Sequence, residues 1–375
     1  MASVWWIWPR LSVRTWPAIA GRVGVLLGNQ ILTLAALALL LNNYFGFYSS
    51  WGDLFGTNGS IAAPIVRDDQ NVDPAQEPAG KVQIISSAHV PLITREGDTG
   101  GRLQRVVISG ATSRLSSPAY VYLPPQYFEK KYATTRFPVI LALTGYPGDA
   151  GNLVTRMNLP TLAAKAIDRN EMVPTIMVLM RPTVAPPRDT ECMDVPGGPQ
   201  VETYFTKDLR ESMAATFRVG TEAANWGVLG GSTGGYCALK MSMRHPEAFS
   251  AAVALSGYYK PPIDSTTGDL FGGSRQLKDQ NDLMWRLGNL PHPPISVLVT
   301  SSKKGESNYK ATLDFLDAVK PPMQASSLIL PSGGHNFNTW NREVPQALPW
   351  LAQQLHMPDG GTSSATPTPA SSPSS

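Results

Sequence analysis

The densest chemical signal in the chain is the run Trp226-Gly227-Val228-Leu229-Gly230-Gly231-Ser232-Thr233-Gly234-Gly235-Tyr236, in which an apolar stretch leads through Gly-x-Ser-x-Gly into a helical pattern. A serine hydroxyl is a weak nucleophile until a neighbouring base takes its proton. A sharp strand-to-helix turn would expose the Ser232 Oγ, and the helix N-terminus behind it would favour negative charge on the group under attack. Gly-x-Ser-x-Gly also recurs by chance as a flexible turn with an incidental serine. The apolar run before it and the helical pattern after it are the context that distinguishes the two. The chemistry implied is nucleophilic attack on a carbonyl.

Such a serine needs a histidine base and an acid, which in this arrangement follow in the order Ser, acid, His. His89 precedes the core elements, His245 stands before Pro246 at a helix end, His292 lies among prolines, and His356 begins the C-terminal tail. His335, in Leu330-Pro331-Ser332-Gly333-Gly334-His335-Asn336-Phe337, follows an apolar run and carries two glycines before it. It is the expected base. The acid must orient the imidazole and stabilise its cation. Glu306 follows the apolar segment Ile295–Ser301 across a Ser-Lys-Lys-Gly turn and is the expected acid, with Asp279, Asp282, Asp314 and Glu343 as alternatives. A plain structural role for Glu306 would be an acid favourably placed near a helix N-terminus.

Negative charge on the attacked oxygen needs N–H donors. One is expected from the backbone of Thr233, directly after the nucleophile, and the other from the loop Leu143-Thr144-Gly145-Tyr146-Pro147-Gly148. Pro147 has no N–H, so Tyr146 is the expected second donor. This chemistry requires no metal or organic cofactor.

These residues must be held by alternating elements. Strands are expected at Val82–Ser86, Gln104–Ser109, Ala119–Leu123, Pro138–Leu143, Pro174–Met180, Trp226–Gly230, Ala251–Leu255, Ile295–Ser301 and Ser327–Leu330. Helices are expected at Pro160–Arg169, Glu202–Phe217, Thr233–Arg244, Glu306–Val319 and Arg342–Leu355. The later strands are unbroken apolar runs, as when helices cover both faces of a sheet. The pattern predicts an α/β fold in which antiparallel strands lead into a mostly parallel sheet.

Ahead of this domain, Val23 to Leu41 is uncharged and mostly apolar, close to the length a helix needs to cross a bilayer. Arg10, Arg14 and Arg22 lie on its N-terminal side, and Tyr44, Phe45, Phe47, Tyr48 and Trp51 follow it. That asymmetry predicts an anchor with its N-terminus in the cytoplasm and the following domain outside. A cleaved secretory signal is the competing expectation and exports the same domain. The expected division is an anchor over 1–52, a linker over 53–80, a catalytic domain over 81–357 and a disordered Ser/Thr/Pro tail over 358–375. Without the three arginines the chain has 28 basic and 28 acidic residues, and it carries no basic cluster of the kind nucleic-acid binding requires. Cys192 and Cys237 are too far apart in sequence for a CxxC site, and outside the cytoplasm a disulfide between them is chemically permitted. Oligomeric state is not legible.

Taken together, these segments resemble the esterase D-like family of α/β-hydrolases, which includes the mycolyltransferases of actinobacterial envelopes. The resemblance runs from about Gln104 to Leu355 and rests on Tyr120-Val121-Tyr122-Leu123-Pro124-Pro125-Gln126-Tyr127, Glu202-Thr203-Tyr204-Phe205-Thr206-Lys207-Asp208-Leu209, His245-Pro246-Glu247-Ala248-Phe249, Ser256-Gly257 and Gly334-His335-Asn336-Phe337-Asn338-Thr339-Trp340. It implies an acyl-enzyme mechanism on ester or acyl-lipid substrates and supports Tyr146 as an oxyanion donor. It departs where trehalose-binding members carry Asp before the loop glycine and Arg soon after it, since this chain has Thr144 before Gly145 and Pro147-Gly148 after Tyr146. The expected function is an anchored serine esterase. The alternatives are acyl transfer to an envelope sugar or lipid, a non-catalytic envelope-binding module, and a peptidase of the same fold.

Overall fold

The computed structural model describes residues 11–45, 80–92 and 99–358. The chain divides into two compact units, Met1–Phe47 and Tyr48–Ser375. The expected tail lies outside the described residues except for Pro358, the expected linker except for Gly80, and so does most of the aromatic segment after Leu41.

The first unit contains one long helix, α1 (Trp16–Phe45). Within it Trp16–Asn42, 27 residues, contains an 18-residue window of mean hydropathy 2.0 in which no residue is buried. At about 1.5 Å per residue such a helix exceeds the roughly 30 Å hydrocarbon thickness of a bilayer. A signal sequence meets the same test of length and composition.

The second unit is built on one nine-stranded sheet in the order β1-β2-β3-β5-β4-β6-β7-β8-β9. Its strands are β1 (Val82–His89), β2 (Arg102–Ser109), β3 (Ser116–Leu123), β4 (Val139–Leu143), β5 (Ile176–Met180), β6 (Trp226–Gly231), β7 (Ala251–Leu255), β8 (Ser296–Ser302) and β9 (Gln324–Leu330). The first three pair antiparallel, β3 meets β5 antiparallel, and every pairing from β5 to β9 is parallel.

The helices are α2 (Gly151–Thr155), α3 (Leu159–Asp168), α4 (residues 201–216, with a π-helical turn at Tyr204–Asp208), α5 (Thr233–Arg244), α6 (Arg275–Asn281), α7 (Leu283–Asn289), α8 (Tyr309–Ala318) and α9 (Phe337–Gln353). Side chains alternate across a strand, so β4 divides its residues between two cores. Val139, Leu141 and Leu143 join one core with Leu209 and Met213 of α4 and Leu239 and Met241 of α5. Ile140 and Ala142 join the other, with Ala163 and Ile167 of α3 and Val344, Leu348 and Leu351 of α9. Each fully buried aliphatic side chain contributes about 1.5–3 kcal/mol, and every residue of β4, β5, β6 and β7 is buried. This two-sided burial explains why the central strands lack polar alternation.

The parallel strands all end at one edge. Register pairs Leu143 with Gly230, Gly231 with Leu255 and Ser302 with Leu330. Gly145, Ser232, Ser256, Glu306 and His335 therefore all leave the sheet at its C-terminal edge, where open α/β sheets bind ligands.

Candidate active site

Ser232 sits between β6 and α5 with φ 56° and ψ −119°, a conformation a non-glycine residue adopts only when its surroundings enforce it. Its N–H donates to the Leu255 carbonyl of β7 at 3.0 Å, and its own carbonyl accepts from Gly235 and Tyr236 N–H at 2.9 and 3.1 Å. The motif glycines are required by close approach. A Cβ on Gly230 would overlap the Gly234 carbonyl, and one on Gly234 would fall 2.6 Å from the Leu143 carbonyl oxygen and closer still to that of Thr144. The elbow is thereby pressed against the end of β4.

The same packing brings in the β4 loop. A Cβ on Gly145 would lie 3.0 Å from the Ser232 Cβ, so this backbone runs directly beside the nucleophile. The turn is closed by Gly148 N–H donating to the Gly145 carbonyl at 2.8 Å and by the Thr144 hydroxyl donating to Gly148 O at 3.0 Å. Tyr146 lies inside this turn, and its hydroxyl donates to the Pro187 carbonyl at 3.3 Å. Thr233 is the first residue of α5, where N–H groups have no intrahelical acceptor.

His335 Nε2 lies 2.8 Å from Ser232 Oγ. On the far side of the ring, Nδ1 lies 4.0 Å from a Glu306 carboxylate oxygen whose side chain is 1% exposed. The loops carrying these two residues are joined. Lys303 N–H donates to Leu330 O at 2.9 Å and Gly333 N–H to Lys304 O at 3.0 Å. Gly305, at φ 95°, leaves no room for a Cβ against the Gly333 carbonyl. On the other flank Asn336 caps α9, Gly334 N–H donates to the Thr339 hydroxyl, and the His335 ring meets Trp340 edge-on at 5.5 Å.

Burial lowers the His335 pKa from its ordinary value, and the Glu306 charge pulls it back up. The imidazole is therefore neutral at pH 7, as a general base must be. Among the described residues, neither Glu306 oxygen has a hydrogen-bond donor. Glu343, buried on α9, accepts from the Thr300 hydroxyl at 2.7 Å. Its pKa is pushed up to about 8, chiefly by burial with Glu306 adding to it, so it is neutral where Glu306 acts as a charge on its neighbours.

The remaining acids and histidines are engaged elsewhere. Asp282 caps α7, Asp279 faces Arg275 and Asp314 pairs with Lys310. The His292 ring bonds Leu287 O and Lys320 N–H, His245 bonds Glu202 and Glu247, His89 bonds Thr99, and His356 is tied through its backbone to Ala224 and Asn225. Among the described residues no three His, Cys, Asp or Glu side chains converge as a metal site would require. Cys192 and Cys237 form a disulfide with Cα atoms 5.8 Å apart.

This geometry can be set beside known proteins. A family model described as putative esterase matches residues 114–351, well over half of the chain. The chain belongs to that family. It has the α/β-hydrolase fold. A relative in Corynebacterium glutamicum, named an uncharacterized protein, is 25% identical over 269 residues. The match covers 68% of this chain and 62% of the relative, so the chain spans less than two thirds of that relative's length. Similar solved structures include an S-formylglutathione hydrolase from Agrobacterium tumefaciens, with TM-score 0.58 and 17% identity over 73% of this chain and all of that one. A ferulic acid esterase matches with TM-score 0.55 and 15% identity over 73% of this chain and 99% of that one. The fluorophosphonate-binding serine hydrolase F of Staphylococcus aureus matches with TM-score 0.54 and 15% identity, over 67% and 98% of the two chains. At these identities the likeness is one of fold.

Proposed function

We propose that this protein is an esterase working through an acyl-enzyme on Ser232, and that the 2.8 Å contact between Ser232 Oγ and His335 Nε2 is the observation that carries the reading. His335 takes the hydroxyl proton as Oγ attacks the ester carbonyl, and Glu306 stabilises the imidazolium that forms. The Thr233 and Tyr146 N–H groups hold the oxyanion. The protonated His335 then gives its proton to the leaving alcohol, and a water activated by the same imidazole releases the acid.

The domain acts outside the cytoplasm, tethered by α1. The arginines at 10, 14 and 22 precede the apolar span, which favours retention of that side in the cytoplasm. The Cys192–Cys237 disulfide fits an oxidising compartment. The substrate is a carboxylic ester, including esters of membrane lipids within reach of a tethered domain.

The test is hydrolysis of p-nitrophenyl esters of increasing chain length by the full chain in detergent. Turnover of at least one ester that disappears in Ser232→Ala supports the reading. Equal turnover in wild type and variant overturns it.

A further inference from the structure

Behind the nucleophile lies a buried polar cluster that the acyl-enzyme chemistry does not use directly. Thr233, Tyr236, Cys237 and Lys240 recur along α5 at the spacing that puts side chains on one helix face. All four engage a single neighbouring region. Cys237 is bonded to Cys192. The Lys240 ammonium, with no exposed surface, donates to the carbonyls of Glu191 and Cys192 at 3.0 and 2.6 Å and to the Glu202 carboxylate at 3.3 Å, which uses all three of its protons. Tyr236 stacks on Tyr258 with ring centres 5.2 Å apart. The Tyr258 hydroxyl lies 2.7 and 2.6 Å from the two oxygens of Glu191 and 3.1 Å from the hydroxyl of Thr233.

The segment so held is backbone that would not choose its conformation. Glu191 and Cys192 are consecutive non-glycine residues at φ 50° and 54°. Left-handed residues in sequence persist only when the surroundings over-determine them, and such strain gathers where a site needs fixed geometry. Its result here is to place the Glu191 carboxyl, 1% exposed, against Tyr258.

We propose that Glu191 and Tyr258 are positioning residues for the oxyanion donor at Thr233, with the Cys192–Cys237 disulfide and Lys240 holding Glu191 in place. The inference rests on the acyl-enzyme reading, in which the Thr233 N–H receives the oxyanion. The three contacts form a hydrogen-bonded chain. Either Glu191, when neutral, donates to the Tyr258 oxygen and Tyr258 donates to Thr233 Oγ, or the Thr233 hydroxyl donates to the Tyr258 oxygen and Tyr258 donates to the Glu191 carboxylate. The first residue of α5 is then fixed by its side chain as well as its backbone. Oxyanion donors must meet the developing charge within a few tenths of an ångström.

The groups facing Glu191 set the direction of that chain. Burial and Asp189 raise its pKa to about 8, Asp264 adds to the rise, and Tyr258 and Lys240 oppose it. In either protonation state Thr233 Oγ stays tied to Glu191 through Tyr258.

The test uses the full chain in detergent, with p-nitrophenyl acetate as substrate and turnover normalised to serines titrated by a fluorophosphonate. Tyr258→Phe keeps the ring stack and removes the hydroxyl; kcat per titrated serine should fall about ten-fold with KM within about two-fold, less than loss of an oxyanion donor outright. Glu191→Leu removes the hydrogen-bonding end and should lower kcat per titrated serine as Tyr258→Phe does; Glu191→Gln, which can still bond the Tyr258 hydroxyl, should recover most of that loss. A purely structural role would lower thermal stability or the titratable fraction and leave kcat per titrated serine unchanged. Unchanged kcat per titrated serine in Tyr258→Phe, or equal kcat in Glu191→Leu and Glu191→Gln, overturns the inference alone. Failure of the fluorophosphonate to titrate wild-type Ser232 overturns the acyl-enzyme reading and this inference with it.

Discussion

Replacing Glu306 with glutamine separates what the acid does for catalysis from what it does for folding. Its oxygen lies 4.0 Å from His335 Nδ1. At an effective dielectric of about 20, unit charges at that distance interact by about 4 kcal/mol. The interaction is absent while the imidazole is neutral and appears only as the imidazolium forms. Its loss therefore falls on the barrier and predicts a drop in kcat of about 10³-fold. The fold should respond in the opposite sense. Both Glu306 oxygens are buried without donors, and a neutral amide relieves an uncompensated buried charge, so the melting temperature should hold or rise. A third readout follows from electrostatics. The Glu306 charge holds the His335 pKa up, so the acid limb of kcat/KM should move to lower pH in the variant. The assay is p-nitrophenyl ester turnover per titrated serine across pH 4–8, with a thermal melt of the same preparation. A kcat within ten-fold of wild type, in folded protein, would refute the assignment of Glu306 as the acid.

Other consequences can be checked separately. His335 must be neutral to take the serine proton, and burial lowers its pKa; kcat/KM should be full at pH 7 and fall only below the ordinary histidine range, whereas an acid limb above pH 7 would contradict this. Gly234→Ala places a Cβ against the Leu143 and Thr144 carbonyls, which are backbone and cannot rotate away; it should cost about 3 kcal/mol or more, and an unchanged melting temperature would show that the β4 end can yield. Replacing both Cys192 and Cys237 with serine opens a loop of sequence separation 45. Loop entropy predicts a loss of about 4 kcal/mol; an unshifted denaturation midpoint would rule out that contribution.

Much of the scaffold was legible because the central strands are buried on both faces and so read as unbroken apolar runs. All nine expected strand segments correspond to β1–β9, with boundaries moved by a few residues. Capping explains the larger differences. The helix expected from Glu306 starts at Tyr309, because Gly305 is left-handed and the chain is still turning onto the Gly333 loop, so Glu306 stands on the loop rather than in the helix. The helix expected from Arg342 starts at Phe337, where the Asn336 side chain accepts the Thr339 N–H; Pro345 and Pro349 inside it obscured the pattern. Helices α6 and α7 are short and capped by Ser274 and Asp282, and their few apolar positions form no readable period. At the site, Ser232 and His335 were marked by motif and chain order, and the structure brings them together. The pairing of Glu191, Tyr258 and Lys240 was not legible. It joins segments 67 and 49 residues apart in sequence through buried polar contacts, which leave no periodic trace. One clue was available, a lysine in the middle of the apolar run of α5.

The chemistry proposed for this site requires Ser232, activated by His335, to be the nucleophile. Its most direct test is to incubate the full chain with a fluorophosphonate and locate the adduct by peptide mass spectrometry. One modified residue is expected, Ser232, with no adduct in Ser232→Ala and slow labelling in His335→Ala. Folded protein that stays unlabelled, or an adduct on another residue that persists in Ser232→Ala, would contradict it.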